Sequence, residues 1–374
     1  MKITSIETIP LRIPFKDPFT MAAPFEKSRN LIETLIVKIH TDEGIYGLGE
    51  TQAWRRQGSS EVLFNLIRIM KDIFEPLLVG KSPFDINEIM HVLSAAVYNS
   101  LYAQAAIGDA LYDLQGKYLN KPVCELIGGK VRDKIQVGIC VPIFPDHQIM
   151  LDKAQAFYES GYRYIRIKIG VHPEEDVRNV EAFRNHFGDK IVLRADANAA
   201  LEFTDALRLL KKLEPYDFDM CEQLIPPWNL EGMADLCRHT SIPLSADESV
   251  STAHSLLDVI RHRSASIVQT KTGKNGGIYY SKQLWEICKA AGIQIFPGNH
   301  PTTSIGCAAV THLAASWAGP MMVGDYQNAL DGVLVDDIVR EPLKIVDGHV
   351  YLPKGPGLGM DLDDDKIKRF LVDE

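Results

Sequence analysis

The feature that most constrains the fold is a regular alternation of strand-like and helix-like segments that begins near residue 134. Short apolar runs typical of buried strands alternate with segments whose apolar residues recur at helical spacing. Eight strands are predicted, at Ile135–Val141, Tyr164–Ile169, Ile191–Ala195, Phe218–Glu222, Pro243–Ala246, Ser266–Lys271, Gln294–Phe296 and Met321–Val323. This alternation predicts an α/β fold, a parallel (β/α) barrel of the TIM type with its site at the carboxyl ends of the strands.

The length of the chain leaves room for more than this barrel. The chain has 374 residues, whereas a single (β/α) barrel typically needs about 250. The first part predicts an α+β domain, with β-rich stretches at Ile3–Ile13 and Leu31–Ile39 and helical periodicity over Ala103–Lys117. We therefore expect an α+β domain at residues 1–130 and the barrel at residues 131–335.

The remaining segment, residues 336–374, predicts a short hairpin around the turn Asp347-Gly348. We expect this hairpin to leave the barrel and to pack back on the N-terminal domain. No low-complexity linker separates the parts of the sequence, so the two domains are expected to share a substantial interface.

The composition excludes several classes of protein. Hydrophobic residues make up 46% and charged residues 24%, and no apolar run approaches the length that crosses a bilayer, so we expect no membrane partner. The net charge is -9 and no Lys/Arg cluster is present, which argues against nucleic acid as a partner. The six cysteines are widely spaced and predict free thiols. The opening residues do not resemble a signal peptide, so a cytoplasmic location is expected.

Charged side chains recur at the predicted carboxyl ends of five successive barrel strands. They are Lys168, Asp196, Glu222, Asp247 and Lys271, separated by 28, 26, 25 and 24 residues. Each step is about one β/α unit, so equivalent positions converge on one mouth of the barrel. A packed barrel core would not otherwise accept charged groups there.

The three carboxylates predict a metal site. Asp196, Glu222 and Asp247 would repel one another unless a cation neutralised them. Their hard oxygen atoms suit Mg²⁺, with Mn²⁺ as an alternative, far better than zinc. Asn198 and Glu248 lie beside two of these residues in the sequence, and we expect them to orient the ligands.

The two lysines predict proton transfer. Lys168 and Lys271 come from strands on opposite sides of the carboxylate strands, so their amines would flank a molecule held by the metal. Arg166 precedes Lys168 by two residues and points the same way in the strand. We expect its positive charge to lower the pKa of Lys168 and so to help that lysine act as a base.

These residues together resemble the enolase superfamily and, within it, the muconate lactonizing enzyme subgroup. That subgroup has a K-x-K motif on strand two and a lysine on strand six, which flank an Asp/Glu/Asp Mg²⁺ site. Further matching stretches extend over nearly the whole chain: residues 1–50, Ala110–Lys117, Leu126–Gly129 and Pro356–Gly359. One departure is Arg166, which replaces the first lysine of the motif and keeps its charge.

The resemblance implies a modified barrel whose mouth is capped by the N-terminal α+β domain. A loop near Phe15 to Phe25 would close over the substrate, and Phe19 and Met21 would contact it. The resemblance also implies that Mg²⁺ binds a substrate carboxylate and stabilises the enolate formed when the α-proton leaves. The mandelate racemase subgroup uses a His-Asp dyad as its second base, so Lys271 favours the two-lysine subgroup.

Two further polar residues are candidates for substrate contact. Strand seven is followed by His300, among polar groups and backbone amides that enter a helix. Strand eight is followed by Asp325, which we expect to bind a substrate amine.

The reaction favoured by these residues is racemisation or epimerisation of an amino acid or its derivative, because lysines on two faces make 1,1-proton transfer the simplest use of the site. A muconate-type cycloisomerase would use one lysine and leave the other as an electrostatic partner. A dehydratase of a hydroxy acid or hydroxyproline would need the same enolate plus an acid for the leaving group. A non-catalytic binding barrel is disfavoured because none of the charged residues is lost.

We also expect a homo-oligomer that associates through the outer helices.

Overall fold

The computed structural model describes residues 1–22, 28–53, 61–326 and 333–372. The N-terminal domain contains a three-stranded antiparallel sheet in the order β1-β2-β3, with β1 at Ile3–Thr20, β2 at Ser28–Thr41 and β3 at Tyr46–Gln52. The described helices of this domain are α1 (Leu63–Arg68), a π-helical turn (Ile69–Phe74), α2 (Glu75–Leu78), α3 (Ile86–Ala96), α4 (Leu101–Leu119) and α5 (Val123–Leu126).

Helix α4 packs directly against the sheet because both surfaces are made of small residues. A Cβ added to Gly49 on β3 would lie 1.9 Å from the carbonyl oxygen of Ala106, and one added to Gly47 would lie 2.0 Å from that of Ala110. The alanines of α4 allow the same close approach from the helix side. This contact orients the cap sheet on a helix that also reaches the barrel.

The second domain is a closed parallel barrel of eight strands, as predicted. Its strands are β4 (Lys134–Val141), β5 (Tyr164–Lys168), β6 (Val192–Asp196), β7 (Phe218–Glu222), β8 (Leu244–Ala246), β9 (Ile267–Lys271), β10 (Gln294–Gly298) and β11 (Gly324–Asp325). The described outer helices are α6 (His147–Glu159), α7 (Pro173–Phe187), α8 (Phe203–Leu213), α9 (Leu230–His239), α10 (Ala253–His262), α11 (Gly277–Ala291) and α12 (Ser304–Ser316). Closure occurs where β11 pairs with both β10 and β4.

The eighth strand lies later in the chain than predicted. We expected it at Met321–Val323, but the paired residues are Gly324 and Asp325. The Met322 amide does donate to the Ile295 carbonyl at 2.8 Å, so the segment already runs beside β10. Pairing with β4 begins at Gly324 and pairing with β10 is at Asp325. A Cβ on Gly324 would lie 2.1 Å from the Pro297 carbonyl oxygen. Only glycine allows the backbone to approach this closely.

The C-terminal segment contacts both domains. The hairpin of β12 (Ile345–Val346) and β13 (His349–Tyr351) does not leave the barrel, because β13 pairs antiparallel with β4. The expected contact with the N-terminal domain is made instead by residues C-terminal to the hairpin. The Leu358 amide donates to Asp113 of α4 at 2.7 Å, and after the last described helix, α13 (Asp364–Phe370), Leu371 bridges to β1.

A buried carboxylate joins the cap to the barrel. Glu50 on β3 accepts hydrogen bonds from the amide and hydroxyl of Thr303, at 3.1 and 2.6 Å, and from the Gly306 amide at 2.8 Å. It also accepts from the Thr34 hydroxyl at 2.9 Å. These partners include amides of the first turn of α12, where a carboxylate is favoured by the helix dipole. We call this arrangement the Glu50 latch.

A second carboxylate of the cap, Asp109 on α4, accepts from the Ile278 amide at 2.8 Å, at the start of α11.

The six cysteines are free thiols, as predicted. In the described ranges, none of the helices combines the length and apolar character that a bilayer-crossing segment requires.

Candidate active site

The structure brings the five charged residues together at the carboxyl ends of β5 to β9. Parallel pairing aligns Lys168 with Asp196, and Asp196 with Glu222. Asp247 directly follows β8, and Lys271 is the last residue of β9. None of the five is more than 6% exposed. The spacing of one residue per β/α unit therefore places five charges in one buried cluster.

The two lysines contact different carboxylates. Lys168 Nζ donates to Asp196 Oδ2 at 2.5 Å and to Asn198 Oδ1 at 2.8 Å. Lys271 Nζ donates to Asp247 Oδ2. The two ammonium groups thus reach the cluster from opposite ends of the row of carboxylates.

The charge balance around Lys168 differs from expectation. Burial lowers its pKa most, and the positive charge of Arg166 lowers it further, but the attraction of Asp196, together with that of Cys140 and Glu222, leaves the pKa raised. The predicted effect of Arg166 is therefore present but too small, because Asp196 is in direct contact with the ammonium group. Asp196 in turn has a lowered pKa: burial opposes ionisation, and the charges of Lys168 and Arg166 overcome it.

The guanidinium group of Arg166 contacts three buried carboxylates. Its Nη1 donates to Glu222 and, at 3.2 Å, to Asp196. Its Nε lies 2.7 Å from Asp325 Oδ2, and Arg194 Nη1 lies 3.7 Å from the other oxygen of Asp325. All of these side chains are buried.

The sequence analysis expected Asp325 to bind a substrate amine, and in the structure its carboxylate lies beside Arg166 instead. Asp325 is a buried counter-ion of Arg166, and it reaches Arg166 across Gly138 of β4, where a Cβ would lie 2.5 Å from Asp325 Oδ1. The glycine leaves the space that the carboxylate fills. Because β4 lies between β11 and β5, this ion pair spans the closure of the barrel.

Lys274 is a site residue that the sequence analysis missed. Its Nζ donates at 2.6 Å to both Asp247 Oδ1 and the Asp247 carbonyl oxygen. Burial lowers the pKa of Lys274, and repulsion from Lys271 adds to this against the attraction of Asp247. The available signal was a second lysine three residues after Lys271, in the loop that leaves a strand end.

The carboxylates have the chemistry of a divalent-cation site, although they are paired with cationic side chains in this arrangement. Over residues 1–22, 28–53, 61–326 and 333–372, no three His, Cys, Asp or Glu side chains are grouped closely enough to hold an ion by themselves. Glu222 Oε1, however, is buried and has no hydrogen-bond partner among the described residues. Burial raises the pKa of Glu222 well above its ordinary value, and Asp196 and Asp247 add to this against Arg166.

An unpartnered carboxylate oxygen next to two other buried carboxylates is costly in the protein alone. A hard divalent cation would offset this cost, since oxygen ligands of this kind are those that Mg²⁺ and Mn²⁺ prefer. Asp196, Glu222 and Asp247 therefore fit the metal that was predicted from the sequence.

Asn198 links several members of the cluster. Its amide N–H donates to Asp196 Oδ1 at 2.8 Å, its side-chain oxygen accepts from Lys168, and its Nδ2 donates to Glu248 Oε1 at 3.2 Å. Burial, with the charges of Asp247 and Asp196 adding to it, raises the pKa of Glu248 to about 7. Both residues lie where the sequence analysis placed them, next to the carboxylates.

The remaining predicted contacts lie at the junction of cap and barrel. His300 stacks on Tyr102 of the cap with ring centroids 5.9 Å apart, and burial holds its pKa well below the ordinary value, with Lys271 adding to the effect. Phe19 stacks on Phe15 at 5.7 Å, and both Phe19 and Met21 are buried. The predicted loop is thus partly strand, since Phe15 to Thr20 belong to β1, while Phe25 lies outside the described residues.

Lys168 also lines a cavity of about 710 Å³. One wall is the segment after β4, from Ile143 to His147, and the other is a face of α7. Thr20 of the cap borders the cavity near Lys168, and its carbonyl oxygen accepts from the Ile143 amide at 3.0 Å. The cluster is therefore connected to a groove at the side of the barrel mouth.

Comparison with known proteins agrees with this architecture. Residues 4–128 match a family model described as the N-terminal domain of mandelate racemase / muconate lactonizing enzyme, and residues 150–366 match one described as enolase C-terminal domain-like. The N-succinyl-L-Arg/Lys racemase of Bacillus cereus is 29% identical over 100% of this chain and 98% of its own length. Muconate cycloisomerase 1 of Rhodococcus opacus is 30% identical over 99% and 98%.

Among solved structures, the muconate lactonizing enzyme of Pseudomonas fluorescens in complex with muconolactone superposes with a TM-score of 0.93. It is 30% identical, and the match covers 99% of each chain. Both an amino-acid-derivative racemase and cycloisomerases are thus similar to this chain over nearly its full length.

Proposed function

The chain belongs to the muconate lactonizing enzyme subgroup of the enolase superfamily, and from that premise we propose that it racemises or epimerises an amino acid or an amino acid derivative. Its relatives are isomerases, and proton abstraction next to a carboxylate is the half-reaction that such enzymes share. The proposal concerns the second half-reaction, in which a proton returns to the opposite face of the same carbon.

The observation that carries the proposal is the placement of two buried lysines at opposite ends of the carboxylate row. Lys168 is paired with Asp196 and Lys271 with Asp247. A substrate whose α-carbon lay between the two amines would lose its proton to one and receive a proton from the other. Each lysine would act as base toward one enantiomer and as acid toward the other.

Asp196, Glu222 and Asp247 would hold the divalent cation, Mg²⁺ or Mn²⁺. When bound, the cation supplies positive charge that stabilises the negative charge developing on the substrate carboxylate. The negative charge of the carboxylates would then be partly neutralised by the cation. Lys168 would therefore lose part of the attraction that raises its pKa. Asn198 would keep Lys168 oriented through its side-chain oxygen.

Lys274 and Arg166 would position the ligands rather than contact the substrate. Lys274 holds both the carboxylate and the carbonyl of Asp247, and Arg166 holds Glu222 and Asp196. Because each is itself buried, its side chain is fixed before substrate arrives. Such preorganised supports keep a catalytic group in its productive geometry.

A muconate-type cycloisomerase is the second candidate, and it is supported by the 30% identity to muconate cycloisomerase 1 over 99% of this chain. In that reaction one lysine would transfer the proton and the other would act only through its charge. The two candidates therefore differ in how the two lysines respond to mutation.

We would incubate the protein with Mg²⁺ in D₂O and follow α-proton loss by NMR, with each enantiomer of N-acylated amino acids, dipeptides, prolines and hydroxyprolines, and sugar acids supplied separately. We expect exchange with both enantiomers of one compound class, and its loss with EDTA. Lys168→Ala should lower the racemisation rate by about 10²-fold to 10⁴-fold and retain exchange of only one enantiomer. Lys271→Ala should retain exchange of the other.

The control is Lys212→Ala, which removes an exposed lysine from α8. Its exchange rates should equal those of the unmodified protein. Consumption of muconate without α-proton exchange in any member of the panel would refute racemisation and favour the cycloisomerase. Loss of exchange for the same enantiomer in both lysine variants would refute the assignment of one lysine to each face.

A further inference from the structure

Tyr102, in the first turn of α4 in the cap, has a buried hydroxyl group without a partner. The side chain is fully buried, and its phenolic oxygen makes no hydrogen bond with any described residue. A buried hydroxyl group in this state is unfavourable, and buried tyrosines normally place this group against a partner. Lys168 and Lys271 are buried as well, so burial does not set Tyr102 apart from the groups proposed to touch the substrate.

The aromatic ring of Tyr102 lies against two loops that leave the carboxyl ends of barrel strands. It stacks on His300, which follows β10, with ring centroids 5.9 Å apart and an angle of 25° between the planes. A Cβ added to Gly273, two residues after Lys271, would lie 3.8 Å from the ring carbons Cδ1 and Cε1. The ring is therefore held at the mouth of the barrel, next to the loop that begins at Lys271.

The start of α4 fixes the position of Tyr102. The Glu61 carboxylate accepts hydrogen bonds from the amides of Tyr102, at 3.1 Å, and Ala103, at 3.0 Å. On the barrel side, Gly277 allows α11 to approach α4 closely, because a Cβ there would lie 3.0 Å from the Ala105 carbonyl oxygen. The hydroxyl group is thus held in place by the fold before any ligand arrives.

The surroundings of the hydroxyl group are negatively charged. Burial raises the pKa of Tyr102 well above its ordinary value, and the charges of Asp247 and Glu61 add to this against Arg29. The phenol is therefore protonated at neutral pH and can donate a hydrogen bond. Among charged groups, Asp247 has the largest effect on this pKa. The donor therefore lies near one of the three carboxylates that fit a cation.

We propose that Tyr102 contacts the substrate, and that its hydroxyl group donates a hydrogen bond to the carboxylate whose α-carbon loses the proton. This inference rests on the proposed function, but only on the half-reaction common to both of its candidates, proton abstraction next to a carboxylate. Negative charge grows on that carboxylate as the proton leaves. A fixed donor therefore stabilises the transition state more than the bound substrate, and Tyr102 acts mainly on kcat.

The test compares Tyr102→Phe with Tyr326→Phe, since each substitution removes one oxygen atom and keeps the ring. Tyr326 is the matched control: its hydroxyl group is also buried and has no hydrogen-bond partner among the described residues. Beyond burial, its pKa responds to Cys307 and Arg132, which lie outside the charged cluster. The readouts are α-proton exchange with the same panel of compounds, calorimetric titration of the Mg²⁺-loaded protein with oxalate, and the free energy of unfolding without metal.

We expect Tyr102→Phe to lower kcat by about 10²-fold with little change in KM, as for the loss of one donor to a developing oxyanion. The Kd of oxalate, which places a second negative oxygen next to its carboxylate, should rise about tenfold. Without metal, Tyr102→Phe should be at least as stable as the unmodified protein, because the hydroxyl group that it removes has no partner. Tyr326→Phe should change neither kcat nor the Kd of oxalate.

Oxalate binding separates this proposal from the proposed function. If oxalate binding depends on Tyr102 and no compound exchanges its α-proton, the proposed function is refuted and the contact stands. If exchange occurs at the same rate in Tyr102→Phe, the contact alone is refuted. A lower stability of metal-free Tyr102→Phe would show that the hydroxyl group serves the fold, and would overturn the proposal. An unmodified protein that neither exchanges α-protons nor binds oxalate would overturn both.

Discussion

The buried pair of Arg166 and Asp325 leads to a prediction that distinguishes a structural carboxylate from a substrate-binding one. In the unmodified protein, Asp325 Oδ2 lies 2.7 Å from Arg166 Nε. The substitution Asp325→Asn removes the negative charge of this carboxylate and keeps the shape of the side chain. Removing one partner of a buried ion pair costs about 3–5 kcal/mol. Arg166 keeps Glu222 and Asp196, and Arg194 keeps Asp219, so we expect about 3 kcal/mol, the lower end of that range.

The assay is the free energy of unfolding from urea titration of Asp325→Asn. Asp219→Asn is the matched control, because Asp219 pairs with Arg194 at 2.7 Å but is about one-third exposed; a partly exposed pair should contribute about 1 kcal/mol or less. We also expect weaker Mn²⁺ binding in Asp325→Asn, since Arg166 contacts two of the ligands. Unchanged stability with a KM increase confined to amine-bearing substrates would refute this reasoning and restore the substrate-binding role.

Three other perturbations test the fold. Asp109→Asn should stabilise the protein at pH 8 by up to about 4 kcal/mol, because burial raises the pKa of Asp109 from 3.8 to about 7. The favourable contribution of the protonated carboxyl is fully present below about pH 4 and is lost as the pH rises through 7. In the variant, the slope of the unfolding free energy against pH should therefore flatten. Glu50→Gln should cost about 3 kcal/mol, since an amide can accept at only one of two oxygens that now accept four hydrogen bonds; an unchanged denaturation midpoint would contradict this. Gly49→Ala should cost at least about 2 kcal/mol, because its Cβ would lie 1.9 Å from the Ala106 carbonyl oxygen; unimpaired thermal stability would show that α4 can retreat.

The convergence of Lys168, Asp196, Glu222, Asp247 and Lys271 could be predicted from spacing alone. Each β/α unit returns the chain to the same end of the barrel, so a residue at a strand end in one unit is a neighbour of its equivalent in the next. Side-chain geometry is not needed for this inference. The eighth strand was placed too early because the apolar run Met321–Val323 precedes the two residues that pair with the neighbouring strands, Gly324 and Asp325.

The contact between Arg166 and Asp325 could not be predicted in the same way. The two strands are not neighbours, and the ion pair depends on barrel closure and on the space above Gly138. A glycine in a strand indicates close approach, but the sequence does not say of which group. Lys274 was missed for a related reason, since it lies beyond the strand and only the turn of the adjoining loop directs it back to Asp247.

The position of the hairpin was wrong because its pairing is decided by an available strand edge. The outer residues of β4 offer unpaired backbone groups before the barrel closes, and β13 pairs there at Ile135 and Gln136. The sequence pattern identifies a hairpin but contains no information about which edge it will join.

The Glu50 latch has a consequence for how molecules reach the site. A carboxylate that holds two amides and a hydroxyl at the start of α12 would have to break all of these bonds if the cap swung away from the barrel as a rigid body. We therefore expect substrate and product to pass through an opening that leaves the two domains joined. Among the described residues that line the cavity along α7, Thr20 is the one that belongs to the cap. We therefore expect substrate and product to pass through this side of the mouth, at a rate insensitive to cross-linking of the domains.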